Sequence, residues 1–582
     1  MPEEIVIAVD FGTTFSAIGY CKFDTEAGST NAPLYIIQDG WPGQGLEPSP
    51  KIPTLFKFEN GEFKYGFDVQ HDDDRIAFSK LFLDPYQVDF AVELGRCTNV
   101  KEVRQLDRLA DSVSLYLKVL RERALEHMVK NAGWSETFIN ITPKTYVLTV
   151  PAIWSDNARE KTLDCAYRAG YGIRFSPESI SLIREPEAAA AYTITTQPSQ
   201  SFRAGDVFVV CDAGGGTVDL SAYKITNPMP RLELDEVAIS DGDLCGSVFL
   251  DKEFLEHVEK KVGSRLPEDT RHGVLAQFRE DIKLDFTGED GEDHSVYVDE
   301  QIPNRPEIGL ENGCLVVIHD EVKQIFDKIV GQILVLLTRL IDNVRKAGYQ
   351  KPLSILLVGG FGSNHYLKQR ITEEFRPFDV IQPPDAWSAI IRGSLMRGAI
   401  KKRKIRCAYG VVFRKKWTRD LDGKPQRFRD EHRVWGEYED DWFCNKCMEW
   451  YVKNGEEFTD TKTVSFPYYR TVGLYHSMKF EDIVYIYMDG VDGAKGPEYK
   501  DGDCKPLAKV STDLNQIEDF RGKLERSGYL KKSSSGWYYE IHFDLVMIFD
   551  NQIRFFPMYN GIRLDEAHIH YVEPEVRPRT RI

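Results

Sequence analysis

Two segments of this chain are built on one plan. The first runs Ile5-Val6-Ile7-Ala8-Val9-Asp10-Phe11-Gly12-Thr13-Thr14, with a second apolar stretch over 17–23. The other runs Val207-Phe208-Val209-Val210-Cys211-Asp212-Ala213-Gly214-Gly215-Gly216-Thr217, with a return over 219–225. Each is an apolar strand ending in Asp, a glycine turn with Thr, and a returning strand. Glycines let backbone N–H groups approach phosphate oxygens and form an anion-binding concavity. Threonine hydroxyls add donors. An Asp at the strand end suits Mg²⁺, an ion that keeps several of its waters. One copy alone reads as a glycine-rich hairpin turn. Two copies with matched Asp and Thr point to a clamp on the β- and γ-phosphates of a nucleotide.

The surroundings fit an α/β framework. Residues 1 to about 400 alternate short strands with helices. Over 104–130, apolar Leu106, Leu109, Val113, Leu117, Leu120, Ala124 and Met128 recur every three or four residues, which predicts a helix with one buried face. A second helix is predicted over 321–346, with Gly348 as its C-cap. At 582 residues the chain is too long for one ordinary domain. The texture changes after Lys401-Lys402-Arg403-Lys404 into β-rich segments separated by Gly, Asp and Asn turns. The expected units are therefore 1–400, a basic linker over 401–408, and a β-rich domain over 409–582.

Several classes are set aside. No G-x-x-x-x-G-K-[ST] pattern occurs, which excludes a P-loop. Gly359-Gly360-Phe361-Gly362 follows a strand but lacks the third glycine of a dinucleotide fingerprint. A formal charge of −17 disfavours nucleic acid and anionic membrane as partners. The acidic start Met1-Pro2-Glu3-Glu4 does not read as a signal peptide, and no apolar run is long enough to span a bilayer. Ten scattered cysteines suit reduced thiols in a cytoplasmic protein. Cys444-x-x-Cys447 lacks a convincingly spaced second ligand pair, and reads as two ordinary thiols rather than zinc ligands.

The paired hairpins resemble those of the actin, sugar-kinase and heat shock 70 superfamily. Val150-Pro151-Ala152 with Asn157-Ala158-Arg159, Arg184-Glu185-Pro186-Glu187-Ala188-Ala189-Ala190, Leu357-Val358-Gly359-Gly360 and Pro384-Asp385-Ala386 are similar to motifs of the heat shock 70 branch, in order. The resemblance covers nearly all of 1–400. It implies an actin-like ATPase fold, two duplicated ribonuclease H-like halves around a nucleotide cleft, with ATP and Mg²⁺ as cofactors. It implies that Asp10 and Asp212 hold the metal through water, and that Thr13, Thr14 and Thr217 contact phosphates. Lys80 would sit by the γ-phosphate, where its charge offsets developing charge. Glu185 and Asp219 would position the attacking water or the metal's waters. Gly12, Gly214, Gly215, Gly216, Gly246, Gly359, Gly360, Gly362 and Asp385 would line the nucleotide, and Glu280 and Lys283 would lie at the adenine.

The chain also departs from that pattern. Leu284 and Ser363 stand where the family places two arginines against the base, which removes a stacking clamp. The basic run replaces an acidic-ended leucine linker. Such departures resemble the divergent twelfth-type branch. Residues 409–582 are weakly similar to the family's peptide-binding β-sandwich, with 450–456 and 464–466 as an early strand pair, 539–544 and 551–554 as a late one, and no helical lid. The expected function is a slow Mg²⁺-dependent ATPase with chaperone-like output, binding ATP or ADP, extended client polypeptides and co-chaperones. A nucleotide-binding scaffold without turnover and a small-molecule kinase on the same fold are the alternatives.

Overall fold

The computed structural model describes residues 3–24, 33–69, 75–88, 90–92, 106–173, 180–196, 202–228, 232–289, 291–350, 354–396, 400–459, 461–488, 493–549, 553–564 and 567–572. Residues 104–105 of the first expected helix, and Asn551 and Gln552 of the late strand pair, lie outside them. The chain is mixed α/β with several sheets and divides into two compact units, Met1–Lys401 and Lys402–Ile582.

In the first unit, β1 (Glu3–Asp10) and β2 (Phe15–Asp24) form an antiparallel hairpin in which Asp10 pairs with Ala17. After α1 (Leu106–Lys130), β3 (Lys144–Val150) lies parallel to β1. Following α2 (Asp156–Arg168), β4 (Ser181–Arg184) lies parallel to β3 and runs directly into α3 (Glu185–Thr196). With the short strand Tyr35–Ile36 outside β2, the spatial order is Tyr35–Ile36, β2, β1, β3, β4.

A second sheet follows the same order. β5 (Val207–Ala213), β6 (Val218–Asn227) and β7 (Glu233–Asp243) are antiparallel neighbours. α4 (Val248–Val262) and α5 (His319–Lys346) come next in the chain. β8 (Ser354–Val358) then lies parallel to β5, and β9 (Asp379–Ile381) parallel to β8. In both sheets a hairpin carries a third antiparallel strand on one flank and two parallel strands on the other.

The strand sequences explain why both faces are covered. β5 is buried at all seven positions and β1 at its last six. Such continuous apolar runs belong to strands packed on both sides. One core joins the first sheet to α1 and α2, and another joins the second sheet to α4 and α5. Between the sheets lies a third core that includes Val6, Ala8, Phe208 and Val210. Into it sink Ala188 to Ala191 of α3 and Ile390 and Ile391 of a short helix, Ala389–Ser394. Small side chains are required there, because a Cβ on Gly393 would overlap the carbonyl of Ala188. The alanine run is thus a close helix crossing. Gly348 follows α5 at φ +93°, the left-handed conformation that suits a helix end.

The second unit has two sheets over a shared core. One orders the strands Arg433–Gly436, Asp441–Val452, Ala408–Lys416, Lys479–Tyr487, Lys505–Asp513 and His568–Tyr571. The other pairs Lys462–Gly473 with Gly536–Phe549, which also pairs with Leu530–Ser533 and Ile553–Tyr559. Tyr409, Val411, Val484 and Ile486 of the first meet Leu545, Met547, Phe549 and Phe555 of the second. The expected early strand pair is corrected: 450–452 and 464–466 belong to different sheets. In the late pair, 544–549 lie opposite 553–558.

The basic run, expected as linker, forms the strand Ile400–Lys404, and Lys402 to Lys404 pair with Glu457–Thr459. Lys404 is buried, so backbone pairing overrides the charged composition. Cys444 and Cys447 are free and buried, and Lys446 between them has φ +61°. Among the described residues no three His, Cys, Asp or Glu side chains are placed to hold a metal directly. Nor is any described helix long and apolar enough to cross a membrane.

Candidate functional site

Strand register assembles the site in the first unit. Asp10 ends β1, and Thr149, just past the β3 residue paired with Val9, donates to Asp10 Oδ1 at 2.9 Å. The short strand Ile52–Pro53 pairs with Phe15 and Ser16, and Thr54 N–H donates to the Thr14 carbonyl at 2.8 Å. That register puts Lys51 level with Ala17, the partner of Asp10. Its ammonium reaches Asp10 Oδ2 at 2.9 Å, with both residues buried. Burial opposes ionisation of Asp10, yet Lys51 and Lys80 together hold its carboxyl below the ordinary range.

Asp212 has the corresponding place on β5, cross-strand from Asp219 on β6. Its Oδ1 is buried and has no hydrogen-bond partner among the described residues. Burial first, then the charges of Glu185, Asp219 and Asp10, raise its pKa well above the usual carboxylate range. Asp219 Oδ1 accepts the Ile153 N–H at 3.1 Å. Glu185 begins α3, and its Oε1 accepts from Lys80 Nζ at 2.5 Å. Burial pushes Glu185 up to about 7, opposed by Lys80 and reinforced by Asp219 and Asp10. The Lys80 ammonium also lies 5.4 Å from the centre of the Trp154 ring. Lys80 is 2% exposed, so it is an interior lysine and not a solvated surface one.

The two glycine turns face one another. A Cβ on Gly216 would fall 2.8 Å from Thr13 Oγ1, and one on Gly215 would collide with Thr14 Oγ1. Side chains larger than hydrogen would therefore separate the hairpins. Gly214 N–H closes the second turn onto the Thr217 carbonyl at 2.9 Å, and Thr217 is buried. The start of α4 seals this turn: Gly246, Ser247 and Val248 N–H donate to the carbonyls of Gly216, Gly214 and Gly215. Gly246 must be glycine because a Cβ there would meet the backbone of Gly215 and Gly216. In the first turn, a Cβ on Gly12 would strike the Phe15 carbonyl. Gly359, at φ +90°, comes so close to Asp212 that a Cβ would lie 2.5 Å from Oδ1.

Other expected residues lie at the edge. Gly359 N–H donates to the Ala386 carbonyl, which ties the Pro384-Asp385-Ala386 segment to the glycine pair. Asp385 is exposed and accepts from Tyr192 OH at 2.9 Å. Gly362 accepts from Gln382 Nε2 through its carbonyl. Lys283 is not free for a base: with Arg279 it holds Asp251, at 2.7 and 2.8 Å. Glu280 is exposed beside it, on a π-helical turn, Phe278–Ile282. Leu284 is 72% exposed, and Ser363 Oγ donates to the Gly359 carbonyl at 3.3 Å.

Lys51 and Trp387 were not singled out from the sequence. Lys51 carries no local motif, and its role follows from pairing between distant segments. Trp387 packs beside Gly360, whose Cβ would lie 3.5 Å from the indole, and edge-on to Phe15 at 5.8 Å between ring centres. It therefore joins the first hairpin to the Gly359-Gly360 turn.

The sequence model of the Hsp70 protein family matches residues 120–281. Human heat shock 70 kDa protein 12A is 25% identical over 501 residues, 70% of this chain and 72% of that protein. Its human counterpart 12B is 26% identical over 311 residues, 43% and 44% of the two chains. The chain is a divergent Hsp70-family member of the twelfth type. Similarity extends to the chaperone protein DnaK of Stenotrophomonas maltophilia, 26% identical over 305 residues, half of this chain and 44% of that one. Hsp70 proteins in general are ATPases that bind ATP or ADP with Mg²⁺, and membership implies the actin-like ATPase fold for this chain.

The side chains can be tested against that ion. Four buried carboxylates, Asp10, Glu185, Asp212 and Asp219, outnumber the two ammoniums of Lys51 and Lys80. A partnerless buried oxygen on Asp212 suits a cation. Asp212 fits the ion. Asp10 has one oxygen on Lys51 and the other on Thr149.

Proposed function

We propose that the first unit binds ATP and ADP between its two glycine turns and hydrolyses ATP slowly, with nucleotide state driving a chaperone-like output. The observation that carries this reading is the convergence of Thr13 and Thr14 on Gly215 and Gly216, beside Lys80, Glu185 and Asp212. The repeated sheet order supports two duplicated halves, with the phosphate turns at equivalent strand ends.

In this reading, Thr13, Thr14, Thr217 and the turn N–H groups bind phosphate oxygens. Lys80 offsets charge that develops at the γ-phosphate, so its effect falls on the chemical step more than on binding. Glu185 and Asp219 orient the attacking water. Asp212 would hold Mg²⁺ through water, with Asp10 sharing that role only alongside Lys51, and the ion would supply charge neutralisation at the phosphates. Gly359, Gly360, Gly362 and Asp385 line the ribose side. The second unit, a two-sheet domain, is the proposed site for extended polypeptide clients.

Equilibrium binding and single-turnover hydrolysis of labelled ATP test the reading together. Binding with slow phosphate release supports it, and binding without release favours a scaffold. Release that appears only as phosphate on an added small-molecule acceptor would replace it with a kinase.

A further inference from the structure

Lys51 stands where the aspartate of the first hairpin would meet a metal's water shell. Its ammonium is 2.9 Å from Asp10 Oδ2, and the other oxygen accepts from Thr149 at 2.9 Å. Lys51 and Asp10 are 7% and 2% exposed, so the pair is a fixed part of the interior. Its position is secured over several residues: Ile52 pairs with Ser16, Pro53 with Phe15, and Thr54 N–H with the Thr14 carbonyl. Ser16 and Thr54 hydroxyls add a bond at 2.8 Å. The segment paired with the hairpin of Thr13 and Thr14 therefore carries the ammonium to Asp10.

An ammonium has three donors and one positive charge. A hydrated ion approaching Asp10 must share its carboxylate with Lys51 or displace it. Displacement leaves a buried ammonium unpaired, which is costly. On Asp212, by contrast, the buried Oδ1 has no hydrogen-bond partner among the described residues. The two halves thus offer a nucleotide one tethered cation and one place for a mobile one.

We propose that Lys51 is a built-in counter-ion that assumes part of the metal's charge role at Asp10, so that this chain binds nucleoside di- and triphosphates with little dependence on Mg²⁺. The proposal rests on the reading of the cleft as a nucleotide phosphate site. A purely structural ion pair would fold the hairpin equally well but would leave the metal dependence of binding unchanged.

The test is calorimetric titration of ADP into the full chain in Mg²⁺ and in EDTA, for wild type, Lys51→Met and Lys51→Arg. Wild-type affinity should change by less than about threefold on metal removal, whereas Lys51→Met should lose on the order of tenfold or more. Lys51→Arg, which keeps the charge, should behave as wild type. If Lys51→Met does not fold, the wild-type pair of titrations decides alone. A wild type that loses tenfold or more in EDTA overturns the role of Lys51 and leaves the nucleotide reading standing. Absence of ADP binding in both buffers removes the nucleotide reading and this inference with it.

Discussion

Asp10 and Asp212 occupy equivalent places in two sheets of the same strand order, yet their surroundings are opposite. Asp10 is neutralised by Lys51, bonded by Thr149 and held ionised. Asp212 keeps a partnerless oxygen among like charges, and its pKa is raised. Identical hairpin chemistry therefore does not impose identical electrostatics. What differs is the segment laid against each hairpin: residues 51–54 beside the first, and the Gly359 turn beside the second. The first aspartate is tied into the framework; the second keeps an oxygen without a partner among the described residues.

The sharpest way to break this comparison is to neutralise each aspartate in turn. Asp10→Asn strands a buried ammonium and should destabilise the fold by about 3–5 kcal/mol. Asp212→Asn puts a neutral amide where burial and like charges already oppose ionisation, and should leave stability unchanged or raise it. Urea titrations of both variants check this, and equal losses would show that the two sites are electrostatically alike. Next in size, Lys80→Ala should slow the chemical step by about 10²–10³-fold while nucleotide binding changes little. Rapid-quench single turnover beside calorimetry separates the two effects; a variant that loses binding but keeps chemistry would reassign Lys80.

A smaller effect concerns pH. The folded-state pKa of Glu185 is raised from 4.5 to about 7. Its contribution to stability is therefore fully present below the unfolded value and lost as pH rises through about 7. Orienting water requires the carboxylate, so hydrolysis should rise with pH through the same range, and Glu185→Gln should flatten that limb. A wild-type profile level from pH 5.5 to about 8 would contradict this assignment. The smallest effect is expected at the base. Each missing arginine contact is worth roughly 0.5–2 kcal/mol. Leu284 and Ser363 are both exposed, leaving room for Leu284→Arg with Ser363→Arg, which should tighten ATP relative to GTP. Calorimetry with both nucleotides reads the change, and strong adenine selectivity in the wild type would mean that another group already grips the base.

Much of this site was legible because strand, Asp, glycine turn and Thr are consecutive. Backbone chemistry of that kind is written locally, and it located Asp10, Asp212 and the turn glycines. Lys80 and Glu185 were legible only through resemblance, since 105 positions separate the two ends of their ion pair. Lys51 carried no signal: a lysine among prolines reads as a loop until pairing with β2 sets its register. Lys283 was expected at the adenine, but its ammonium is held by Asp251, a partner 32 residues away. The basic run lies where the chain divides into its two units, but as a strand rather than a loop. Composition reports solvation, whereas pairing with Glu457–Thr459 fixes a strand.

The central claim is that the open aspartate serves phosphate chemistry while its neutralised counterpart holds the frame. Single-turnover release of labelled phosphate from ATP, comparing wild type with Asp212→Asn, tests it most directly. The account predicts slow release by wild type and a loss of about 10²-fold or more in Asp212→Asn, at equal or greater folding stability. Release at the wild-type rate by a folded Asp212→Asn variant would contradict it.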